Sequence, residues 1–278
     1  MIPALETAIR LARGAGELAL AVQRGEFEVV QKANDEGPVT IADRRADRFI
    51  REGLAEAYPD DALLTVETPD DLSRLAARRV WIVDPLDGTK QFVQRAGEFA
   101  VMIGLAVEGR AALGVVHLPA DGRTFAGAVG EGTYEILKDA APRRIVLPEM
   151  PDVEGRLILA LSRNRAGART ARLVEELAPN AVVVSGSVGR KAALVLAGRA
   201  DAYVSLGKRS RHWDACAPDA LITAAGGFFG DAYGREKIYN TAETQNTTGL
   251  LACRRGLVAR IARAANAALA ASRAGKKP

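Results

Sequence analysis

The stretch that decides the fold runs Trp81-Ile82-Val83-Asp84-Pro85-Leu86-Asp87-Gly88-Thr89. Its first three residues are apolar and predict a buried strand that ends directly in two carboxylates, Asp84 and Asp87. The proline between them fixes one backbone φ angle and removes an N–H donor. Gly88 permits a tight turn, and the chain is then positioned to start a short helix at Thr89. The sequence therefore predicts a sharp corner after a buried strand.

Two kinds of chemistry converge on this corner. Asp84, Asp87 and the carbonyl of Leu86 are aimed at one point and offer the hard oxygen ligands that magnesium prefers. The backbone N–H groups of Gly88 and Thr89, at a helix start, offer an anion site. A metal and a phosphate at one corner predict phosphoryl chemistry. Taken alone, a strand followed by an Asp-rich turn is the alternative.

The composition excludes several classes of protein. Of 278 residues, 48% are hydrophobic and 26% charged, which argues against a disordered tail or a collagen-like fibre. Two cysteines cannot form a disulfide framework, and two histidines cannot form a histidine-rich zinc site. Apolar runs stay below the roughly 18 residues that a membrane span needs, and the N-terminus lacks a signal-peptide layout. We therefore expect a cytoplasmic protein.

The charge balance favours a small anionic partner. The formal net charge is +4, but the basic residues are scattered and aromatic residues make up only 5% of the chain. A base-stacking surface needs more aromatic residues, so no nucleic acid partner is expected. A small phosphorylated substrate fits the charge as well.

Hydrophobic periodicity divides the chain into an α+β part at 1–145 and an α/β part at 146–278, separated by a proline-containing segment at 138–155. Thr40 and Asp43 predict a capping box at the start of the second helix. The strands between 99 and 136 predict an antiparallel meander. The predicted helices are 3–24, 41–58, 167–177, 189–197, 214–225 and 257–272, and the predicted strands are 27–32, 62–66, 80–83, 99–107, 111–117, 124–129, 133–136, 156–161, 181–184 and 202–205.

Three motifs carry a resemblance to a known family. Thr40-Ile41-Ala42-Asp43, D-P-L-D-G-T at 84–89, and Trp213-Asp214 with Gly226-Gly227 resemble, in this order, elements of the inositol monophosphatase superfamily. The resemblance extends over about residues 5–253. It implies an α/β (α+β) fold of the inositol monophosphatase and fructose-1,6-bisphosphatase type, a layered α-β-α-β-α sandwich. It also implies a magnesium-dependent, lithium-sensitive phosphatase, and because relatives are often dimers, a homodimer stays open.

The resemblance implies a set of metal ligands. Asp84 would bridge two magnesium ions, and the Leu86 carbonyl would complete the shell of one. Asp87 and Asp214 would hold the second ion, and Asp43 would support a third, weaker one. Two or three Mg²⁺ ions are therefore expected.

The resemblance also implies the course of the reaction. Thr89 would orient the attacking water and, with Gly88, bind phosphate oxygens through backbone N–H groups. A magnesium-activated water would attack phosphorus in line, without a phosphoenzyme.

One position departs from the family pattern. The family usually carries two adjacent glutamates upstream, the first a metal ligand, where this chain reads Leu64-Thr65-Val66-Glu67-Thr68. An ungapped comparison puts Val66 at the ligand position, and a one-residue slip restores Glu67. A slip inside a strand would turn the side chain to the other face, so a strand end or bulge has to absorb it. We predict Glu67 as ligand and water activator; a weakened metal site, or Asp70 or Asp71 in its place, stays open.

Other segments indicate the phosphate ester. Lys90-Gln91-Phe92 and Gly97-Glu98-Phe99-Ala100-Val101 resemble the CysQ-type bisphosphate nucleotidase branch, which hydrolyses 3′-phosphoadenosine 5′-phosphate to AMP. Inositol enzymes usually have a glutamate where this chain has Gly207. Losing an acid and gaining cations suits a substrate with two phosphates. The cations that follow are Lys208, Arg209 and Arg211; a solvated loop is their alternative.

A second element resembles the substrate-facing part of that branch. Ser187, after Gly186, and the later Lys191 are predicted to contact substrate, although Ser187 is equally well an ordinary helix N-cap. The alternatives for the whole chain are an inositol-1-phosphate or other sugar phosphatase of the same family, and a non-catalytic regulatory relative in which Val66 marks a damaged metal site.

Overall fold

Five layers of helix and sheet are stacked in this computed structural model, which describes residues 2–31, 38–138, 140–149, 157–163 and 167–274. Two helices cover one face of a seven-stranded sheet, and two more fill the space between that sheet and a five-stranded one. A last pair covers the outer face of the smaller sheet. This order confirms the predicted mixed α/β fold with its α-β-α-β-α layers.

The elements up to residue 145 build the larger sheet, its outer helices and a separate two-stranded sheet formed by the first two strands. In chain order they are α1 (Pro3–Arg24), β1 (Val29–Gln31), β2 (Pro38–Thr40), α2 (Ile41–Ala57), β3 (Ala62–Thr65), β4 (Arg79–Asp87), α3 (Thr89–Val93), β5 (Ala100–Val107), β6 (Arg110–Leu118), β7 (Arg123–Ala128), β8 (Gly132–Leu137) and β9 (Arg143–Ile145). The strand order is β3-β4-β5-β6-β7-β8-β9. Only the β3–β4 pair is parallel within this described sheet, so the predicted antiparallel meander is confirmed.

The elements from residue 157 onward build the smaller sheet. In chain order they are β10 (Ile158–Ser162), α4 (Ala168–Leu177), β11 (Ala181–Ser185), α5 (Val188–Leu196), β12 (Ala202–Ser205), α6 (His212–Ala224), β13 (Phe228–Gly230), β14 (Leu250–Cys253) and α7 (Val258–Ala274). The strand order is β11-β10-β12-β14-β13, with β10 parallel to both of its neighbours. The carboxyl ends of β10, β11 and β12 therefore meet at one edge, beside the starts of α5 and α6.

Two glycines let a central helix approach the larger sheet closely. Gly104 and Gly114 are paired in adjacent strands. A Cβ on Gly104 would lie 2.8 Å from the Ala217 backbone nitrogen of α6, and one on Gly114 would overlap the same backbone. The absence of these side chains sets how deep α6, which carries Asp214, lies between the sheets.

The strand before the Asp-rich corner is longer than predicted. We expected it to end at Val83, but β4 continues to Asp87, and its pairing with β5 shifts register between Asp84 and Asp87. The reason is tertiary: Asp84 pairs with Met102 and Asp87 with Ala100, partners that lie in the following strand. The corner is thus an irregularity inside a sheet, held on one side by β5.

Other boundaries differ by small amounts. Helix α5 begins at Val188 and α6 at His212, one and two residues before the predicted starts. The predicted strand 27–32 is shorter, and its last residue lies outside the described residues, as does residue 156 of the predicted strand 156–161. Strands β2, β9, β13 and β14 were not predicted.

The proposed division of the chain falls between the two sheets. The larger sheet ends at Ile145 and the smaller begins at Ile158. We retain 1–145 and 146–278 as proposed subdomains on this ground. Within the described residues, every helix is too short or too polar to cross a membrane.

Candidate active site

Three carboxylates meet between the two sheets. Asp84 and Asp87 come from the irregular end of β4, and Asp214 comes from the first turn of α6. One ligand oxygen from each lies within 4.8 Å of the other two. Asp84 and Asp87 are each only 7% exposed. The structure thus brings together residues that the sequence placed on two distant motifs.

Burial and like charge raise the pKa of these carboxyl groups. Burial, then the charges of Asp87 and Asp214, holds the pKa of Asp84 well above its ordinary value. Burial and the charge of Asp87 raise the pKa of Asp214 to about 7. Burial also raises the pKa of Asp87, although Lys191 opposes the shift. Three carboxylates this close, two of them buried and Asp214 half-buried, need a cation to ionise together, and their hard oxygens fit a magnesium-like ion.

Asp87 is fixed by the start of α5. Its Oδ2 accepts a hydrogen bond from the Ser187 hydroxyl at 2.5 Å and another from the Gly189 N–H at 2.7 Å. Ser187 is fully buried and also caps α5, since its Oγ accepts from the Arg190 N–H. The sequence offered a cap or a substrate contact for Ser187; the structure shows the cap and adds a contact with Asp87. Its substrate contact stays a prediction.

Thr89 and Asp43 form a second polar pair beside the corner. The Thr89 hydroxyl lies 3.0 Å from Asp43 Oδ1 and 3.2 Å from the Leu86 carbonyl, either of which can accept its proton. Asp43 Oδ2 accepts from both the N–H and the hydroxyl of Thr40, at 2.8 Å each. The predicted capping box is therefore present. It orients Asp43 toward Thr89, whose oxygen keeps lone pairs for a water molecule.

Gly88 needs to be glycine for two reasons. Its φ of +98° lies in the left-handed region, and a Cβ there would stand 2.8 Å from the Glu98 carbonyl oxygen. Gly88 and Thr89 both line the cavity described below. This placement suits the predicted backbone contacts to phosphate.

Glu67 lies just beyond the end of a strand. Strand β3 ends at Thr65, and Glu67 follows in a turn that faces the cavity together with Val66. A strand end is the feature that the one-residue slip requires. Glu67 is not in the cluster of three carboxylates, and its ligand role stays a prediction.

Asp70, one of the alternatives to Glu67, already has a strong partner. Its carboxylate accepts from the guanidinium of Arg74, with the closest atoms 2.7 Å apart, and Arg74 is only 2% exposed. This ion pair lowers the pKa of Asp70. Arg74 also donates to Asn240 and to the Thr241 carbonyl, so the pair links the turn after Glu67 to a loop of the second half.

Two adjoining cavities open beside the carboxylates. The first has a volume of about 730 Å³ and the second of about 620 Å³. Asp87, Asp214 and Arg209 line both. The first is also lined by Arg211 and Trp213, whose ring lies 5.7 Å from the Arg211 guanidinium.

The predicted substrate-binding cations are divided by the structure. Arg209 and Arg211 face the cavities. Lys208 is exposed and does not appear among the described lining residues, although its carbonyl accepts from Gln245. Lys191 lines the second cavity but is fully buried, and its substrate contact stays a prediction.

The sequence reading missed Arg163 as a site residue. Arg163 lines the first cavity and forms an ion pair with Glu98, whose Oε2 also accepts from the Gly186 N–H at 3.2 Å. Burial opposes, but the hydrogen bonds of Arg163 and Gly186 lower the pKa of Glu98. The available signals were the G-E-F motif around Glu98 and the position of Arg163 two residues after the predicted strand 156–161.

Comparison with known proteins identifies the family. A model of the inositol monophosphatase family matches residues 2–273. The chain belongs to the inositol monophosphatase family. It is therefore a phosphoric monoester hydrolase, and the confirmed resemblance extends beyond the three motifs to nearly the whole chain.

Several members are similar over most of their length. The 3′(2′),5′-bisphosphate nucleotidase CysQ of Escherichia coli (strain K12) is 34% identical, with 86% of this chain and 95% of that protein covered. A histidinol-phosphatase of Chlorobaculum parvum is 32% identical, with 86% and 89% covered. The crystal structure of CysQ from Bacteroides thetaiotaomicron is 29% identical with a TM-score of 0.75, covering 90% of this chain and 97% of that one.

Proposed function

We propose that this phosphatase removes the 3′-phosphate of 3′-phosphoadenosine 5′-phosphate, giving AMP and phosphate. The observation that carries the proposal is the pair of adjoining cavities that share Arg209, with the carboxylate cluster at their junction. One cavity offers room for the phosphate that is cleaved, and the other offers room for the rest of the nucleotide. The similarity to bisphosphate nucleotidases supports this choice.

The residues that would hold the metal follow from the cluster. Asp84, Asp87 and Asp214 offer carboxylate oxygens, and the Leu86 carbonyl and Glu67 lie at the same cavity. When bound there, Mg²⁺ would supply an activated water and neutralise negative charge on the phosphate.

The remaining steps belong to the chain itself. Thr89 would orient the attacking water through its hydroxyl oxygen. Its hydroxyl proton is donated to Asp43 or to the Leu86 carbonyl, so the oxygen can accept a hydrogen bond from the water. The N–H groups of Gly88 and Thr89 would hold phosphate oxygens in line with that water. Arg209 and Arg211 would bind the second phosphate, since charge-assisted contacts reward each added charge.

A second candidate is a monophosphatase for inositol 1-phosphate or another phosphorylated alcohol. The histidinol-phosphatase relative favours it, because its identity to this chain is close to that of the nucleotidase. Gly207 speaks against the inositol ester, since the acid expected to contact sugar hydroxyls is missing there.

A panel of phosphate esters distinguishes the two candidates. With Mg²⁺ present, we expect kcat/KM for the bisphosphate nucleotide to exceed that for inositol 1-phosphate and histidinol phosphate by at least about tenfold, which is about 1.4 kcal/mol of transition-state binding. Asp84→Asn serves as the control and should abolish release of phosphate while circular dichroism shows an unchanged fold. A tenfold preference for either monophosphate would overturn the substrate assignment.

A further inference from the structure

Lys191 occupies a position where two factors, burial and the helix dipole, disfavour a positive charge. It is fully buried, and it lies in the first turn of α5, which begins at Val188. Burial removes water from the ammonium group, and the positive end of the helix dipole repels it. A cation retained there needs strong partners in the surrounding structure.

The hydrogen-bond partners of Lys191 fit an ammonium group. Its Nζ lies 2.5 Å from the Ser187 carbonyl oxygen, 3.3 Å from that of Ser185 and 3.4 Å from that of Gly186. All three partners are acceptors, and donation to three acceptors requires three N–H bonds. A neutral amine has two, so the three acceptors fit the ammonium form better. The ammonium group also lies 5.1 Å from the centre of the Tyr203 ring.

The turn that holds Lys191 also holds a carboxylate of the cluster. Ser187 accepts from Lys191 through its carbonyl and donates to Asp87 through its hydroxyl. Asp87 and Lys191 line the same cavity, together with Asp214. Burial lowers the pKa of Lys191 to about 8, while the negative charges of Asp87, Asp214 and Glu98 oppose the shift. The ammonium, which packs against Tyr203 of the smaller sheet, is thus a counter-charge at the cavity that Asp87 and Asp214 line.

We propose that Lys191 is a positioning residue: an internal cation that keeps Asp87 and Asp214 close together without metal and that competes with Mg²⁺ for their negative charge. The inference rests on the part of the proposed function that makes this cluster the metal site, and it does not depend on which ester is cleaved. It differs from the substrate contact predicted from the sequence, because a buried ammonium bonded to three carbonyls has no free N–H for a phosphate.

The test compares Lys191→Met with the unchanged chain, with and without metal. Melting temperatures are measured in EDTA and in saturating Mg²⁺, and Mg²⁺ affinity is measured by calorimetry without substrate. We expect the variant to lose more stability in EDTA than in Mg²⁺, and to bind Mg²⁺ about tenfold more tightly, because a neighbouring unit charge is worth about one to three pK units. Lys191→Arg should retain the wild-type response, since it restores the charge.

Arg190→Met is the matched control. It removes the same charge from the neighbouring position of α5, but Arg190 pairs with Asp121 away from the cluster. Its Mg²⁺ response should equal that of the unchanged chain.

Three other results would contradict the proposed role of Lys191. An equal loss of melting temperature with and without Mg²⁺ means that Lys191 only packs, and overturns the proposal. A raised KM for the nucleotide with unchanged Mg²⁺ affinity restores the substrate contact instead. If Mg²⁺ neither binds nor stabilises the unchanged chain, the metal site of the proposed function fails together with this inference.

A second variant covers the case in which Lys191→Met does not fold. The double variant Asp87→Asn/Lys191→Met removes both charges. It should fold in EDTA, because neither a carboxylate nor an ammonium group is left buried without its opposite charge. A double variant that stays unfolded would show that packing of the lysine stem, rather than its charge, is what the fold needs.

Discussion

Asp87 uses its two oxygens differently. Its Oδ2 accepts the hydrogen bonds of Ser187 and Gly189, so Oδ1 is the oxygen that we expect to face a metal ion. Such bonds fix the orientation of a ligand before the ion arrives, which is how residues behind the ligands tune metal affinity. Ser187 is thereby both the cap of α5 and the support of a metal ligand.

Two neighbouring serines give a direct test of this support. We expect Ser187→Ala to weaken Mg²⁺ binding about tenfold, measured by calorimetry, and to cost about 1–2 kcal/mol of unfolding free energy, because it removes a cap and a hydrogen bond to a buried carboxylate. Ser185→Ala is the control: Ser185 is similarly buried, but its hydroxyl has no hydrogen-bond partner among the described residues. Equal effects of the two substitutions would contradict the role of Ser187.

The helices and strands differ in how well they can be predicted from their own residues. The start of α2 could be predicted because Thr40 and Asp43 satisfy each other within one turn. The corner at Asp84 could be predicted as a site because its ligands are adjacent in the chain. Strand β9 could not be predicted, since Arg143–Ile145 is three residues long and exists by pairing with β8.

The same reasoning explains which site residues were missed. Arg163 is positioned by its ion pair with Glu98, and Arg74 is positioned by its hydrogen bond to Asn240. Both partners are far away in sequence. The sequence marks such residues as polar positions in or beside predicted loops, but it does not pair them with their partners. The buried contacts of Lys191 were missed although its acceptors are close in sequence, because the sequence does not show that this side chain folds back over the turn before α5.

The packing of α6 on the larger sheet gives a test at the scale of elements. Gly114→Ala would place a methyl group inside the Ala217 backbone, so α6 has to move and carry Asp214 with it. We expect a loss of about 1–3 kcal/mol in unfolding free energy and a weaker response to Mg²⁺. Gly167→Ala is the control, because a Cβ there meets nothing within 4 Å. Equal losses would mean that the glycine does not set the depth of α6.

At the scale of the whole molecule, the site depends on both halves being held together. Asp84 and Asp87 come from the larger sheet, while Asp214 comes from the second half of the chain. The Arg163–Glu98 contact, at the first cavity, and the Arg74–Asn240 contact join the same two halves. Strain or charge in one half is therefore expected to reach the ligands contributed by the other.

The stability of the molecule should depend on pH through buried acids such as Asp219. Asp219 accepts from the hydroxyls of Tyr239 and Thr223, and burial raises its pKa from 3.8 to about 7. The folded chain keeps a proton there that the unfolded chain has lost, so this contribution is full below pH 3.8 and disappears as the pH rises to about 7. Burial lowers the pKa of His117 and His212 to about 4, which acts in the opposite direction over part of this range.

Asp219→Asn isolates the acid from the two histidines. In EDTA, we expect the melting temperature of the variant to rise relative to the unchanged chain between pH 4.5 and 7.5, by about 5 °C, because the amide carries no charge to bury. Both proteins contain the same histidines, whose effects cancel in the comparison. A difference that does not change with pH would show that Asp219 is not the titrating group.

The positions of the two tryptophans give the molecule an internal fluorescent reporter. Trp81 is 1% exposed and its indole N–H donates to Asp61, so its emission should change only when the sheet unfolds. Trp213 adjoins Asp214 and faces the cavity under the guanidinium of Arg211. Since the chain contains no third tryptophan, any quenching on addition of an ion or a nucleotide to the folded protein originates at Trp213. Ligand occupancy can thus be followed optically in the unlabelled chain.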